Sequence, residues 1–280
     1  MNYKTDDETV GLVESVMAAY AAWPSVEIDL HVLDNSQKTE AELDRLRRRV
    51  ALSNIPVTVH STGRNEGYFG GLALAQSLAT NVDCVLYGNV DLVFHHSFFQ
   101  AAEAALCQGA GVIAPSIKSI REGVDLNPLA LKRLSRLKMM RLQIVFGYRL
   151  AYIVYNWLYR AAIRVRGARP TARALATPIT IYAPHGAMFA FMDIDFFRSL
   201  PPYPCFLFGE EQFVAEEARA AGVTIRYEPS LKISHTRHAS IGELDDEFKR
   251  ALHQRAVSYI YDRYYRSRRV AMLQTAGGRS

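Results

Sequence analysis

The sequence predicts an α/β chain: a mostly parallel central sheet flanked by helices, interrupted by one basic helical insert. Three observations predict it. Short apolar, β-favouring runs alternate with segments whose apolar residues recur at helical spacing. Polar or glycine-rich stretches directly follow three of those runs, at Asp34-Asn35-Ser36, Gly63–Gly71 and Asn89–Asp91, where open α/β sheets bind ligands. Finally, no Asp or Glu occurs from Leu126 to Met192, a window that holds eleven of the 33 Lys and Arg residues.

The elements follow in order. Val10, Leu12, Val13, Val16, Met17 and Tyr20 repeat at helical spacing, which predicts an amphipathic helix from Thr9 to Trp23, broken by Pro24-Ser25. A strand is expected over Val26–Leu33, a helix over Thr39–Ala51 and a strand over Val57–His60. The loop Gly63-Arg64-Asn65-Glu66-Gly67-Tyr68-Phe69-Gly70-Gly71 runs into a helix at Leu72–Leu78. Val85–Tyr87 is a short apolar run that Gly88 ends. A helix at Ser97–Cys107 and a strand at Gly111–Pro115 complete the first half, residues 1–119.

Residues 120–176 form the insert, helical by pattern from Asn127 to Arg169, with Leu129, Leu131, Leu134, Leu137, Met140, Leu142 and Ile144 among cations. Interleaved Arg and aromatic residues without acids suit an in-plane helix at a membrane interface. They equally suit a hairpin that packs on the core and turns its Arg residues to water. The second half, 177–245, offers strands at Ile179–Tyr182 and after Ala187, and helices at Asp193–Leu200 and from Glu210 to Ala221, stopped by Gly222. Short strands at Val223–Tyr227 and Leu231–Ser234 follow. A final helix, Ile241 to about Arg266, leads into a basic tail within 246–280.

Composition narrows the function. At 280 residues with 49% apolar and 22% charged content, the chain buries a sizeable core. Cys84, Cys107 and Cys205 are far apart and odd in number, which argues against a disulfide scaffold or a zinc site and suits a reducing cytosol. The start is polar and acidic, unlike a signal peptide, and no apolar run is long enough to span a membrane. The net charge of +5 hides an asymmetry: outside the acid-free window the chain carries 22 basic against 28 acidic residues. An anionic partner for the insert is therefore expected, an anionic membrane surface rather than nucleic acid, since no nucleic-acid motif accompanies the charge.

Asn89 and Asp91 stand two apart, so in extended backbone both oxygens face the same side, as a hard divalent cation shared with substrate phosphates requires. Alone, the triplet is equally a polar strand end. Glu210 and Glu211 open a helix, where the dipole favours carboxylates in any protein; held near the ligand edge, one of them is a candidate general base.

Six motifs in one order change the weighting. Leu33-Asp34-Asn35-Ser36, the Gly63–Gly71 loop, Gly88-Asn89-Val90-Asp91, His185-Gly186-Ala187-Met188, Phe208-Gly209-Glu210-Glu211 and His235…His238-Ala239-Ser240 resemble the family 2 glycosyltransferases of GT-A (nucleotide-diphospho-sugar transferase) fold. The rhamnosyltransferase-like bacterial members are the nearest in pattern. The resemblance covers roughly residues 1–119 and 177–245, and it implies an inverting, metal-dependent transfer from a nucleotide-diphosphate sugar to a glycan or lipid-linked acceptor in cell-surface polysaccharide synthesis. The cysteine usage and the basic insert place the protein in the cytoplasm, peripheral on the inner membrane face. By its motifs, Asp34 contacts the nucleotide base, and Arg64, Asn65 and Gly67 line the nucleotide loop. Gly70 and Gly71 let the backbone approach the donor, and Asn89 also belongs to the donor site. His185, Gly186 and Ala187 line the acceptor and sugar pocket. Asp91, Asn89 and His235 hold Mg2+ or Mn2+. Glu211 is the base, with Glu210 as the other candidate.

Two departures stand out. Glu211 replaces the family's usual Asp, extending its carboxylate by one methylene. Asn2-Tyr3-Lys4-Thr5 looks like the turn after the family's first strand with no strand before it: either the true start lies upstream of Met1, which is the expectation, or the chain lacks a central strand beside the nucleotide. The missing first strand and the uncharged Asn89 in the metal triplet motivate an alternative: a catalytically inactive GT-A domain acting as a membrane-associated assembly factor.

Overall fold

A computed structural model describes residues 1–109, 111–166, 175–236 and 245–266. Its first elements are α1 (Asp6–Ala22), β1 (Leu30–Asp34), α2 (Glu40–Val50), β2 (Val57–Ser61), α3 (Leu72–Leu78), β3 (Val85–Gly88) and β4 (Leu92–Phe94). Then come α4 (Phe98–Leu106), β5 (Val112–Ser119), α5 (Arg136–Gly147) and α6 (Arg149–Arg166). The second half holds β6 (Ile179–Thr180), β7 (Met188–Phe191), α7 (Ile194–Ser199), α8 (Glu210–Ala221), β8 (Ile225–His235) and α9 (Asp246–Tyr264). The expected α3 and α8 coincide with these bounds. The motif residues His238, Ala239 and Ser240 and the basic tail beyond Arg266 lie outside the described residues.

An α/β architecture with a central sheet between helices is present, but the sheet is mixed rather than mostly parallel. Its order is β3-β7-β5-β8-β4, with β6 also on β8; among the described strands only β5 and β8 run parallel within it. β1 and β2 form a separate parallel pair. The second half of the chain supplies β7, which inserts between β3 and β5 and runs against both. A strand distant in sequence thus takes the place between two first-half strands.

Burial explains why. Met188-Phe189-Ala190-Phe191 is buried throughout, a continuous apolar run suited to a strand covered on both faces. Phe189 and Phe191 enter one core with Phe213 of α8, Phe197 of α7 and Ile260 of α9. Met188 and Ala190 enter the opposite core with Leu12 and Val16 of α1 and Phe98 and Ala102 of α4. Truncating Phe189, fully buried, to Ala would cost about 3–5 kcal/mol.

β8 unites the two short strands expected around Pro229-Ser230. The ladder to β5 steps from Glu228, opposite Pro115, to Lys232, opposite Ser116, so Pro229 never has to donate to it. The insert is helical only from Arg136. α5 joins the main core through Met139, and Arg133 is pinned to α8, its Nε donating to Glu216 at 2.6 Å with its guanidinium 3.9 Å from the Tyr265 ring centroid. Arg133 is thus a structural cation and not one offered to an anionic partner. No described helix is long and apolar enough to cross a membrane.

Candidate functional site

One tripeptide, His185-Gly186-Ala187, gathers the site. It enters β7 at the sheet end where β3 stops and β8 finishes. The Ala187 carbonyl accepts from the Asn89 backbone N–H at 2.9 Å, fixing the turn that carries Asp91. On its other side, a Cβ on Gly186 would stand 2.7 Å from Glu211 Oε1. Only glycine allows that approach. The Glu211 carboxylate takes backbone N–H bonds from Gly186 and from its own residue. The His185 ring stands 6.3 Å from the His235 ring, edge to face.

Asp91 and His235 meet because β4 and β8 pair with Leu92 opposite His235. His235 Nε2 lies 3.0 Å from Asp91 Oδ2. Yet both ring nitrogens of His235, and Asp91 Oδ1, are buried without a hydrogen-bond partner. The contact has the distance of an ion pair but not the alignment of a hydrogen bond. Two converging, unsatisfied ligand atoms fit a divalent cation whose remaining ligands come from elsewhere, since buried polar atoms otherwise cost about 1–3 kcal/mol each. Among the described residues no group of three or more His, Cys, Asp or Glu forms a metal cage. Asn89 contributes its backbone to the turn.

The carboxylate pair sits on a strained turn. Phe208 and Gly209 both adopt left-handed backbone, φ 70° and 84°, immediately before α8. Phe208 is held there by stacking 3.7 Å from His253 of α9, and its carbonyl accepts from the Tyr203 hydroxyl at 2.5 Å. A Cβ on Gly209 would fall 2.6 Å from that hydroxyl. Glu210 is 5% exposed, and its Oε1 has no partner. Burial, then the charge of Glu211, pushes its carboxyl up to about 8. Burial raises Glu211 as well. Burial thus favours the neutral form of both carboxyls, the charge of Glu211 adds to that at Glu210, and backbone donors from Gly186 and its own residue oppose it at Glu211.

Sequence reasoning missed Tyr68. Its buried hydroxyl has no partner. Burial, neighbouring Tyr87 and the charges of Glu210, Glu211 and Asp91 push its phenol well above the usual range. Tyr68 thus stands within electrostatic reach of both halves of the site. The available signal was its place inside the glycine loop. Also missed was Asn127, whose Oδ1 accepts the His185 N–H at 2.7 Å while its Nδ2 donates to the Pro115 carbonyl.

Other expected residues are engaged by protein groups. Asp34 is fully buried, and its carboxylate is occupied by Asn2 at 2.6 Å, Ser36 and Lys38, leaving no face for a nucleotide base. Arg64, 77% exposed, pairs with Glu66 at 2.6 Å. Asn65 accepts from the Gly67 N–H at 3.1 Å. Gly67 packs on protein: its Cβ would overlap the Phe206 carbonyl at 1.8 Å. Gly70 and Gly71 are likewise crowded by Glu66 and Leu33, not opened towards a donor. A cavity of about 240 Å³ adjoins Asp91, lined by Gly11, Val90 and Thr236. A larger open groove, about 1060 Å³, lies at the opposite sheet end and contains none of these residues.

No family model matches the chain, and no curated protein matches it. Solved structures do. GalNAc-T7 with UDP, GalNAc and Mn2+ superposes with a TM-score of 0.54 at 16% identity, covering 84% of this chain and 42% of that one. The chain has the GT-A fold. The mannosyltransferase PcManGT from Pyrobaculum calidifontis, in complex with GDP-Man and Mn2+, gives 0.48 at 14% identity over 93% of this chain and 68% of its own. S. aureus TarS 1-349 gives 0.48 at 13%, over 98% and 74%. The GT-A chain described here spans less than half the length of GalNAc-T7.

Proposed function

We propose that the protein transfers a sugar, with inversion, from a nucleotide-diphosphate donor to a glycan or lipid-linked acceptor. The observation that carries this reading is the junction at His185-Gly186-Ala187. There the buried carboxyl of Glu211, faced by backbone donors, stands across a glycine from a turn bearing the unsatisfied Asp91–His235 pair. A base and an anion-facing cation site on opposite sides of one strand end are what a single displacement at an anomeric carbon needs.

In this mechanism Glu211 takes the proton of the acceptor hydroxyl as its oxygen bonds to the anomeric carbon. The bond to the donor's diphosphate breaks on the far side, and the departing phosphate keeps the electron pair. Glu210 remains protonated and supplies no competing charge. Asp91 and His235 would hold the cation, which when bound offsets charge on the leaving diphosphate. Tyr68 and His185 flank the space between the two halves.

The sealed Asp34 and the Gly67–Phe206 packing favour the second reading, an inactive GT-A domain serving as an assembly factor. One experiment separates them. Purified protein is incubated with UDP-, GDP- and dTDP-sugars, with Mg2+ or Mn2+, and nucleotide release and melting temperature are followed. The transferase reading expects release from one donor, and a metal-plus-nucleotide rise in melting temperature that Asp91→Ala removes. Neither release nor a shift with any donor would establish the inactive reading.

A further inference from the structure

The α5–α6 hairpin leaves an apolar face uncovered. On α6, Leu150, Ile153, Val154, Trp157 and Leu158 recur at the spacing of one helix face and all are exposed, Leu150 by 76% and Trp157 by 68%. On α5, Leu137, Met140 and Ile144 do the same, and exposed Tyr148 joins the two stripes at the turn. Contiguous exposed apolar surface of this kind marks an interaction site. Exposed Lys138, Arg141 and Arg149 stand beside the stripes, and no acid occurs from Leu126 to Met192.

We propose that this face docks the protein onto an anionic lipid bilayer, the apolar stripes entering the headgroup–acyl boundary and the cations meeting lipid phosphates. The charge argues against the other occupants. A second copy would set Arg141 and Arg149 against like charges on a hairpin without acids, and Glu247 of α9, which lies near Arg149, is already paired with Arg250. The chain's own residues 267–280 carry Arg268, Arg269 and Arg279 and no acid, so they complement the face no better. The combination of an apolar stripe with flanking cations is that of an interfacial, in-plane helix.

The hairpin also sits where docking would serve the site. Phe146 of α5 stacks 4.7 Å from His253, which in turn stacks 3.7 Å from Phe208, two residues before Glu210. Arg250 of α9 donates to the Phe146 carbonyl. A membrane under the hairpin thus lies next to the carboxylate turn, as a lipid-linked acceptor would require. That use rests on the transfer reading; the docking itself does not.

The test uses the full chain without donor, so its outcome is independent of activity. Flotation compares phosphatidylcholine vesicles with and without phosphatidylglycerol, and brominated acyl chains report indole depth in a Trp23→Phe background that leaves Trp157 as the reporter. The expected result is binding only to phosphatidylglycerol vesicles, with Trp157 quenched. Arg141→Glu with Arg149→Glu, or Trp157→Ser with Leu158→Ser, should each weaken partitioning roughly tenfold or more. Circular dichroism and cooperative thermal melting confirm that both doubles fold. Absence of flotation, or flotation unchanged by both doubles, overturns the proposal. So does a lipid-free dimer, measured by sedimentation, that Trp157→Ser dissolves, because the face would then belong to a second copy.

Discussion

Helix α8 carries buried glutamates of two kinds, six residues apart. Glu216 is fully buried but fully answered: Arg133, Arg219 and the Tyr182 hydroxyl bond its carboxylate, and although burial opposes it, these partners hold it below the usual carboxylate range. Glu210, equally dry, has no cation beside it and a like charge next door; burial and Glu211 drive it up to about 8. The same side chain on the same helix thus becomes a fastening in one place and a proton holder in the other. Burial alone does not make an acid functional. What distinguishes the site is burial left unanswered, and the Asp91–His235 contact shows the same property while saturated Asp34 lacks it.

The contrast breaks first at the pair itself. Glu211→Gln should lower transfer by roughly 10²–10⁴-fold while calorimetry finds donor binding nearly intact. Glu210→Gln, which imitates the protonated acid already present, should leave transfer within about threefold of wild type. Equal losses in both variants would mean that the roles are not divided.

Stability should separate the two positions by sign. Glu210 has a folded pKa above its unfolded value of 4.5, so its contribution is complete below that value and is lost as pH rises through about 8. Glu216 has a folded pKa below 4.5, so its contribution is present above that value and lost as pH falls through the lower folded one. Urea titrations above pH 8 should therefore find Glu210→Gln more stable than wild type, on the order of 2–4 kcal/mol, with no gain in mild acid. Arg133→Ala should cost about 1–2 kcal/mol near neutrality, because Arg133 is 36% exposed and Glu216 keeps two other partners. That cost should shrink in acid as Glu216 protonates. The smallest effect belongs to Tyr68→Phe. Removing a buried hydroxyl with no partner should leave stability unchanged or raise it by up to about 1 kcal/mol; a clear loss would reveal a partner.

Much of this was legible in the residues. α3 and α8 were readable from periodicity and glycine stops, and Asn89, Asp91, His185, Gly186, Glu210, Glu211 and His235 do converge at one sheet end. Strand direction was not legible, because β7 reaches its place between β3 and β5 across the whole insert. The partners of Asp34 were not legible, because Asn2 and Lys38 come from a distant turn and from four residues downstream, neither visible as a motif. Arg133 looked like one more cation of the insert until packing set it over Glu216. Tyr68 had only its place inside the glycine loop to announce it; the unpartnered hydroxyl is visible in the structure alone.

The division of labour between Glu210 and Glu211 can be measured without knowing the donor. Carbon-13 NMR of side-chain carboxyls in glutamate-labelled protein, titrated with pH, should contain one resonance with a midpoint near 8 that disappears in Glu210→Gln. If instead every glutamate titrates close to the ordinary 4.5, both members of the pair are ionised at neutral pH, and the assignment of proton holder and base is wrong.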